Sequence, residues 1–429
     1  MYRAGDEILL DEGVGFDERP RPERPAMSAP PTLRVAFIGG PMYDGLYETI
    51  ADFERTASLR VEVVAKLTHP ELNAFVKQAL ESGAQVDVIS THTTYAPSQV
   101  PWLRPLDDLL PPDLMSDLQP RAADLSRIDG RLMQVPRNLD VRLLHYRRDL
   151  IPAPPATWDE LLRIAAHRTR VSHGRNPVFG FLFPGRDSGL FKMFHELLVA
   201  AGGRLFDERL RPAFDTPSAC WAVEQIVAMH HQLRITPRDL ATWHFDEISK
   251  SFRAGDAAMV TDWPGGHYLY RDPITCPVFD RVALALLPRG PSGVRAADAG
   301  CHSFAITRES RQPELAAALI GHLTSPASQL GEARRGAIPS RSSTLAEARS
   351  ESSANAAASA RWALLAEAEG TMIFPPRFAA YPECENAIWR NVQRAMLGEL
   401  SAANAVQRAA AEVDAIVSGQ TAGHGRERD

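Results

Sequence analysis

Residues 128–150 read IDGRLMQVPRNLDVRLLHYRRDL. Within them the apolar Val141, Leu143 and Leu144 flank the charged Asp140 and Arg142. That mixture suits a strand crossing between two lobes better than one buried inside a single sheet, where apolar residues run on without a break. The stretch is therefore read as a hinge, with Arg142 as an ion-pair partner inside it. Length agrees, because 429 residues exceed the ~250–300 at which one hydrophobic core stops growing, so two lobes are the default.

Outward from the hinge, composition sets further bounds. With 45% hydrophobic and 23% charged residues, the chain reads as a soluble globular protein. A net charge of -6 argues against a broad nucleic-acid surface, which needs clustered Lys and Arg. No apolar run reaches the ~18 residues of a membrane span. Cys220, Cys276, Cys301 and Cys384 lack metal-site spacing and read as buried free thiols. Residues 1–31 alternate acids, arginines and prolines, so they read as a disordered arm in which no export signal can be recognised.

Toward the N-terminus, LRVAFIGG from Leu33 predicts a buried strand feeding a tight turn. A helix around residues 46–55 and a strand at VEVVA follow. Thr68 and Glu71 have capping-box spacing ahead of an apolar face on Leu72, Phe75, Val76, Ala79 and Leu80, and VDVIS is a third strand. Together these predict a βαβαβ unit with a parallel sheet, whose ligands sit beyond the carboxyl ends of the strands. Residues 39–43 and 91–95 then lie on a crevice rim. Toward the C-terminus, Thr157 with Glu160, and Thr216 with Pro217, open two helices. FDEISKSF is a helix ending at Gly255, and AAMVT is a short strand. Residues 340–360 read as an exposed connection and helix. A closing helix carries Ile388, Val392 and Met396 on one face.

Several catalytic patterns fail. GGPMYDG is neither GxGxxG nor a P-loop, His195-Glu196 lacks the second histidine of HExxH, and no GxSxG occurs. Trp263, in TDWPGGHY, is more informative. It ends a strand ahead of Pro264, Gly265 and Gly266, which form an irregular loop facing the crevice. Flat aromatic faces pack on the C–H faces of sugars while carboxylates, amides and guanidinium groups bind hydroxyls.

In order, VDVISTHTTYAP, the hinge stretch, TWDELLRIAAH, FRAGDAAMVTDWPGG, LIGHLTSPASQ and IPSRSSTL resemble the extracellular solute-binding proteins of sugar-type ABC importers, which are similar to maltose-binding protein. The resemblance spans about residues 32–419. It implies an α/β, two-lobed periplasmic-binding-protein fold of type II, with central mixed sheets flanked by helices and a multi-crossing hinge. Residues 32–139 and 299–346 would form one lobe, 140–298 and 347–419 the other, and 420–429 a disordered tail. It also implies a monomer, non-catalytic and without cofactor or metal, that closes on a sugar or oligosaccharide and delivers it to a membrane permease outside the cytoplasm. In the family the position of Trp263 commonly stacks on sugar, and Asn138 and Asp140 match its hinge-proximal pattern. Thr91, His92 and Tyr95 follow the third strand, where polar contacts are common. His302 stands where the family often has Trp. Tyr43, Gly265, Trp243 and Arg377 complete the candidate set. The alternatives are a cytosolic sensor or sequestering protein of the same fold, and a sugar-processing enzyme.

Overall fold

The computed structural model describes residues 30–171 and 178–424. The expected arm lies outside the described residues up to position 29, as do residues 425–429. The last helix, Ala402–His424, runs further than the expected boundary at 419.

The βαβαβ unit is present. β1 (Thr32–Ile38) turns at Gly39 and Gly40 toward the Asp44–Ala57 helix, and β2 (Arg60–Leu67) follows. The His69–Glu81 helix begins on the expected capping box, where the Glu71 carboxylate accepts from the Thr68 N–H and hydroxyl. β3 (Val88–His92) then pairs with β1 in parallel, as β2 does. A short hairpin of β4 (Arg127–Ile128) and β5 (Arg131–Leu132) leads into β6 (Val135–Val141). After Arg142 alone comes β7 (Leu143–Arg147). The remaining strands are β8 (Met259–Asp262), β9 (Val282–Ala285), β10 (Ala297–Ile306), β11 (Ile338–Pro339) and β12 (Met372–Ile373). One sheet runs β11-β6-β10-β3-β1-β2 with β12 on β10, and a smaller one runs β8-β7-β9.

The hinge stretch thus divides at Arg142 between two sheets, each the centre of a lobe. Helices Asp44–Ala57 and Pro313–Leu323 cover one face of the large sheet, burying Leu46, Phe53 and Leu319 against Phe37 and Phe304. Helix His69–Glu81 covers the other through Leu72 and Val76. In the second lobe the Asp187–Ala200 helix packs Phe191 and Phe194 against the closing helices, where Ile388, Val392 and Met396 are buried as expected.

Local signals at helix starts held with one change. Thr157 accepts from the Glu160 N–H, but the Glu160 carboxylate accepts from Ala156 rather than Thr157. Thr216 caps its helix through the Ala219 N–H, and Phe245–Ala254 stops at Gly255. All four cysteines are free thiols; three are buried and Cys220 is partly exposed. Residues 340–360 are not simply an exposed connection. Ser340 and Arg341 are buried, with the Arg341 guanidinium donating to the Thr324 carbonyl and facing Asp117, ahead of two helices, Ser342–Glu351 and Ala356–Glu369.

The crossing is held by charge. Arg142 and Glu196 face each other at 3.2 Å with both side chains fully buried. The Arg142 N–H donates to the Asp298 carbonyl, and the Asp298 N–H donates to the Glu196 carboxylate, each at 3.0 Å. The Asp298 carboxylate takes Lys192 Nζ at 2.8 Å and His195 Nδ1 at 3.1 Å. Ala299 on β10 pairs with Val141 on β6, so the outgoing and returning crossings lie side by side. The lone His195-Glu196 pair of the sequence therefore serves the hinge.

Removing one member of a buried pair strands the other charge, so Arg142→Met should cost ~3–5 kcal/mol of unfolding free energy, and Arg142→Met with Glu196→Leu should recover most of it. Burial raises the Glu196 carboxyl to about 7. A carboxyl raised above its unfolded value loses stability as pH rises through the folded value, so the Arg142→Met deficit should shrink from about pH 8 to about pH 5. Urea unfolding at both pH values measures each effect.

Candidate ligand-binding site

Strand register assembles the site. On β6, Asn138 and Asp140 are two residues apart and share a face; on β10 so do Gly300 and His302. His302 lies opposite both Asn138 on β6 and His92 on β3, and Gly300 lies opposite Asp140. A Cβ at position 300 would lie 2.2 Å from His92 Nε2, so glycine there makes room for the imidazole. The His92 and His302 rings meet edge to face at 5.3 Å, and Tyr43, from the turn after β1, meets His302 the same way at 5.6 Å. The Tyr43 hydroxyl is 3.2 Å from His302 Nε2, and that nitrogen is 3.7 Å from the Asp140 carboxylate.

The second lobe supplies the opposing wall. Trp263 follows β8, its N–H donating to Asp262 at 2.8 Å, and its ring lies 5.7 Å from Phe245 and 5.6 Å from Lys192 Nζ. It stands between two adjoining recesses. One is bounded by Gly39, Tyr43, His92, Tyr95 and His302 facing Ser188, Lys192, Phe245 and Asp246. The other is bounded by Arg137, Asn138, Asp140, Glu332 and Arg335 facing Trp263 and Gly265.

Electrostatics favour a ligand that brings hydroxyl groups. Burial raises the Asp140 carboxyl to about 6, and Glu332 adds to the rise, against the Asn138 amide donating at 2.7 Å and the charges of Arg137 and Lys192. Burial likewise pushes the Tyr43 phenol well up, so it stays protonated. Arg137 pairs with Glu332 at 2.7 Å. Asn138 Oδ1 and Glu332 Oε2 are buried acceptors with no hydrogen bond among the described residues. Leaving such atoms unpaired costs ~1–3 kcal/mol each, and a hydroxyl donor relieves it.

Eight of the sequence candidates line these recesses: Tyr43, His92, Tyr95, Asn138, Asp140, Trp263, Gly265 and His302. Three lie elsewhere. Thr91 alternates to the opposite face of β3 and donates to Gln99 at 2.6 Å. Trp243 packs between two hydrophobic clusters. Arg377 spends its guanidinium on the carbonyls of Thr93, Asp124, Leu125 and Arg127. Sequence reading missed Lys192, although a signal existed. Lys192, His195 and Glu196 fall at i, i+3 and i+4 of an otherwise apolar helix, which marks one polar face that must meet partners.

The model of the bacterial extracellular solute-binding protein family matches residues 48–360. A probable ABC transporter-binding protein of Deinococcus radiodurans is 26% identical over 275 residues, covering 62% of this chain and 65% of that protein. The mannitol-binding protein of Pseudomonas aeruginosa is 28% identical over 235 residues, covering 53% of this chain and 52% of that protein. The alignments therefore span less than two thirds of these relatives' own lengths. Among solved structures, maltose-bound MalE3 of T. maritima superposes with a TM-score of 0.82 at 26% identity, covering 89% of this chain and 98% of that one. Two lobes joined by several crossings, with a polar recess between them, accompany a family match over most of the chain, and the chain belongs to the bacterial extracellular solute-binding proteins.

Proposed function

We propose that the chain is a non-catalytic binder of a sugar or polyol, which it encloses between its lobes and delivers to an ABC importer outside the cytoplasm. The observation that carries this reading is the composition of the recess. A flat indole faces a cluster of histidine, tyrosine and carboxylate groups, the pairing that suits the C–H faces and hydroxyls of a sugar. The mannitol-binding and maltose-bound relatives support the same ligand class. In this reading residues 32–139 with 299–346 move against 140–298 with 347–419, and the protein acts as a monomer.

Size supports a moving hinge. The two recesses hold about 60 and 40 Å³, far below the ~300–1,000 Å³ of small-molecule sites. A sugar is admitted only when the lobes part at Arg142 and the β9-to-β10 return, and its contacts to both walls then favour closure. A thermal-shift screen over sugars and polyols tests the reading, because a ligand selective for the folded state raises the melting temperature. Absence of any shift across the library overturns it.

With a ligand in hand, Trp263→Ala should weaken binding by ~1–3 kcal/mol, the scale of a packed anchor, with little change in unfolding free energy. Calorimetric titration and chemical denaturation read the two separately. Asp140 sets a pH dependence. Its carboxyl titrates at about 6 in the folded protein, and the ionised form is the stronger acceptor for a hydroxyl. Affinity should therefore rise from about pH 5 to about pH 7.5, and Asp140→Asn should flatten the profile. A profile unchanged in that variant removes Asp140 from the ligand.

A further inference from the structure

A second cavity, of about 760 Å³, is lined by Tyr268, Gly336 and Arg361, among others. It shares no lining residue with the two recesses, and its volume falls in the ~300–1,000 Å³ range of small-molecule sites. The sequence leaves it open. Ala357, Ala358 and Ala360 give the Ala356–Glu369 helix a low face, which does not fill the gap toward the Gly266–Tyr270 helix and the edge strand β9. Leu284 of β9 and the nearly buried Trp362 supply apolar surface.

Its charged wall is one-sided. Arg148, Arg271, Arg334 and Arg361 line it, against the single carboxylate of Asp272. Arg334 is neutralised by Glu351 at 2.6 Å. Asp272 is occupied in its own turn, accepting from the Thr275 hydroxyl at 2.7 Å and the Ile274 N–H at 2.9 Å. Among the described residues the guanidinium groups of Arg148 and Arg361 donate to the carbonyls of Asp280 and Gly336, and Arg361 also lies over Trp362 at 4.9 Å. Among the described residues none of Arg148, Arg271 and Arg361 has a carboxylate at ion-pair distance. Burial pushes the Arg361 guanidinium down to about 10. The neighbouring His267 is pushed down to about 3, first by burial and then by Arg361 and Arg271. Its Nδ1 is buried and has no hydrogen-bond partner among the described residues.

We propose that this cavity is a second ligand site, for a small organic anion whose carboxylate or phosphate sits on Arg361 and Arg271 and whose apolar body lies over Trp362 and Leu284. A guanidinium presents a planar fork of donors that matches both head groups, and an unbalanced positive wall over apolar surface selects an anion with an apolar part. The site stands apart from the sugar reading and survives its failure.

The test is calorimetric titration of the full chain with phenyl phosphate, benzoate and inorganic phosphate at low ionic strength. Saturable binding of phenyl phosphate or benzoate, tighter than that of inorganic phosphate, is expected. Losing one charge-assisted contact should weaken it ~10-fold or more in Arg361→Met and in Arg271→Glu. Arg271 is exposed and Arg361 only partly so, so replacement of Arg271 leaves the fold intact even where loss of Arg361 does not. Binding of neither aromatic anion overturns the proposal, as does an affinity unchanged in Arg271→Glu.

Discussion

The passage from β6 to β7, one of the crossings between the two lobes, turns on Arg142, a guanidinium with no exposed surface. A buried charge is tolerated only while paired, and the penalty for parting it from Glu196 exceeds most single interactions in the chain. The pair therefore restricts which motions are open to the hinge. The lobes can rotate about β6–β7 and β10 so long as Arg142, Glu196 and Asp298 stay together. A motion that separates them exposes or strands a charge. Asp298 reinforces this, because burial alone raises its carboxyl, yet Lys192 and His195 hold it below the usual range. It remains an anion at the point where both crossings meet the Asp187–Ala200 helix.

The same helix joins hinge to recess. Lys192 is bound to Asp298 at 2.8 Å and lies 5.6 Å from the Trp263 ring centroid. One cation thus serves the pivot and the wall on which we place the sugar. On the facing lobe the groups come from adjacent strands in register, so their spacing is fixed by the sheet rather than by flexible loops. Rotation at the crossing then moves two rigid walls, and the walls need not be remade when the lobes close.

How much of this was legible follows from where each signal lies. Strand and helix patterns marked β1 to β3, the capping box at Thr68 and a hinge within residues 128–150, because each depends on neighbours in sequence, whereas the expected boundary after Leu139 lies inside β6 and the sheets part at Arg142. Residues at or just past strand ends, Tyr43, His92, Tyr95 and Trp263, stood out in the sequence for the same reason, and the structure places them on the recess. Thr91 was misjudged because β3 ends at His92, past the expected VDVIS. A strand places adjacent side chains on opposite faces, so His92 faces the recess and Thr91 faces Gln99. Trp243 and Arg377 depend on tertiary partners that no local pattern reveals. The Ser, Ala and Arg-rich segment hid Ser340, Arg341 and the low alanine face for a related reason, since small residues signal neither burial nor exposure.

The two cavities also differ in the sign pattern of their walls, and this bears on which one stands open. Around the recesses between the lobes, Lys192 and Arg137 alternate with Asp140, Asp246 and Glu332. Opposite charges at short range in a partly dry space attract more strongly than in water, and they favour the narrow volume found there. Around the second cavity the uncompensated groups are all arginines. Like charges resist approach, weakly where salt screens the exposed Arg271 and more strongly at the recessed Arg361. The alanine face leaves space, and the arginines give neither wall a reason to close it. An anion seated between them reverses that sign, so the second cavity is one that charge leaves waiting for a ligand to complete it.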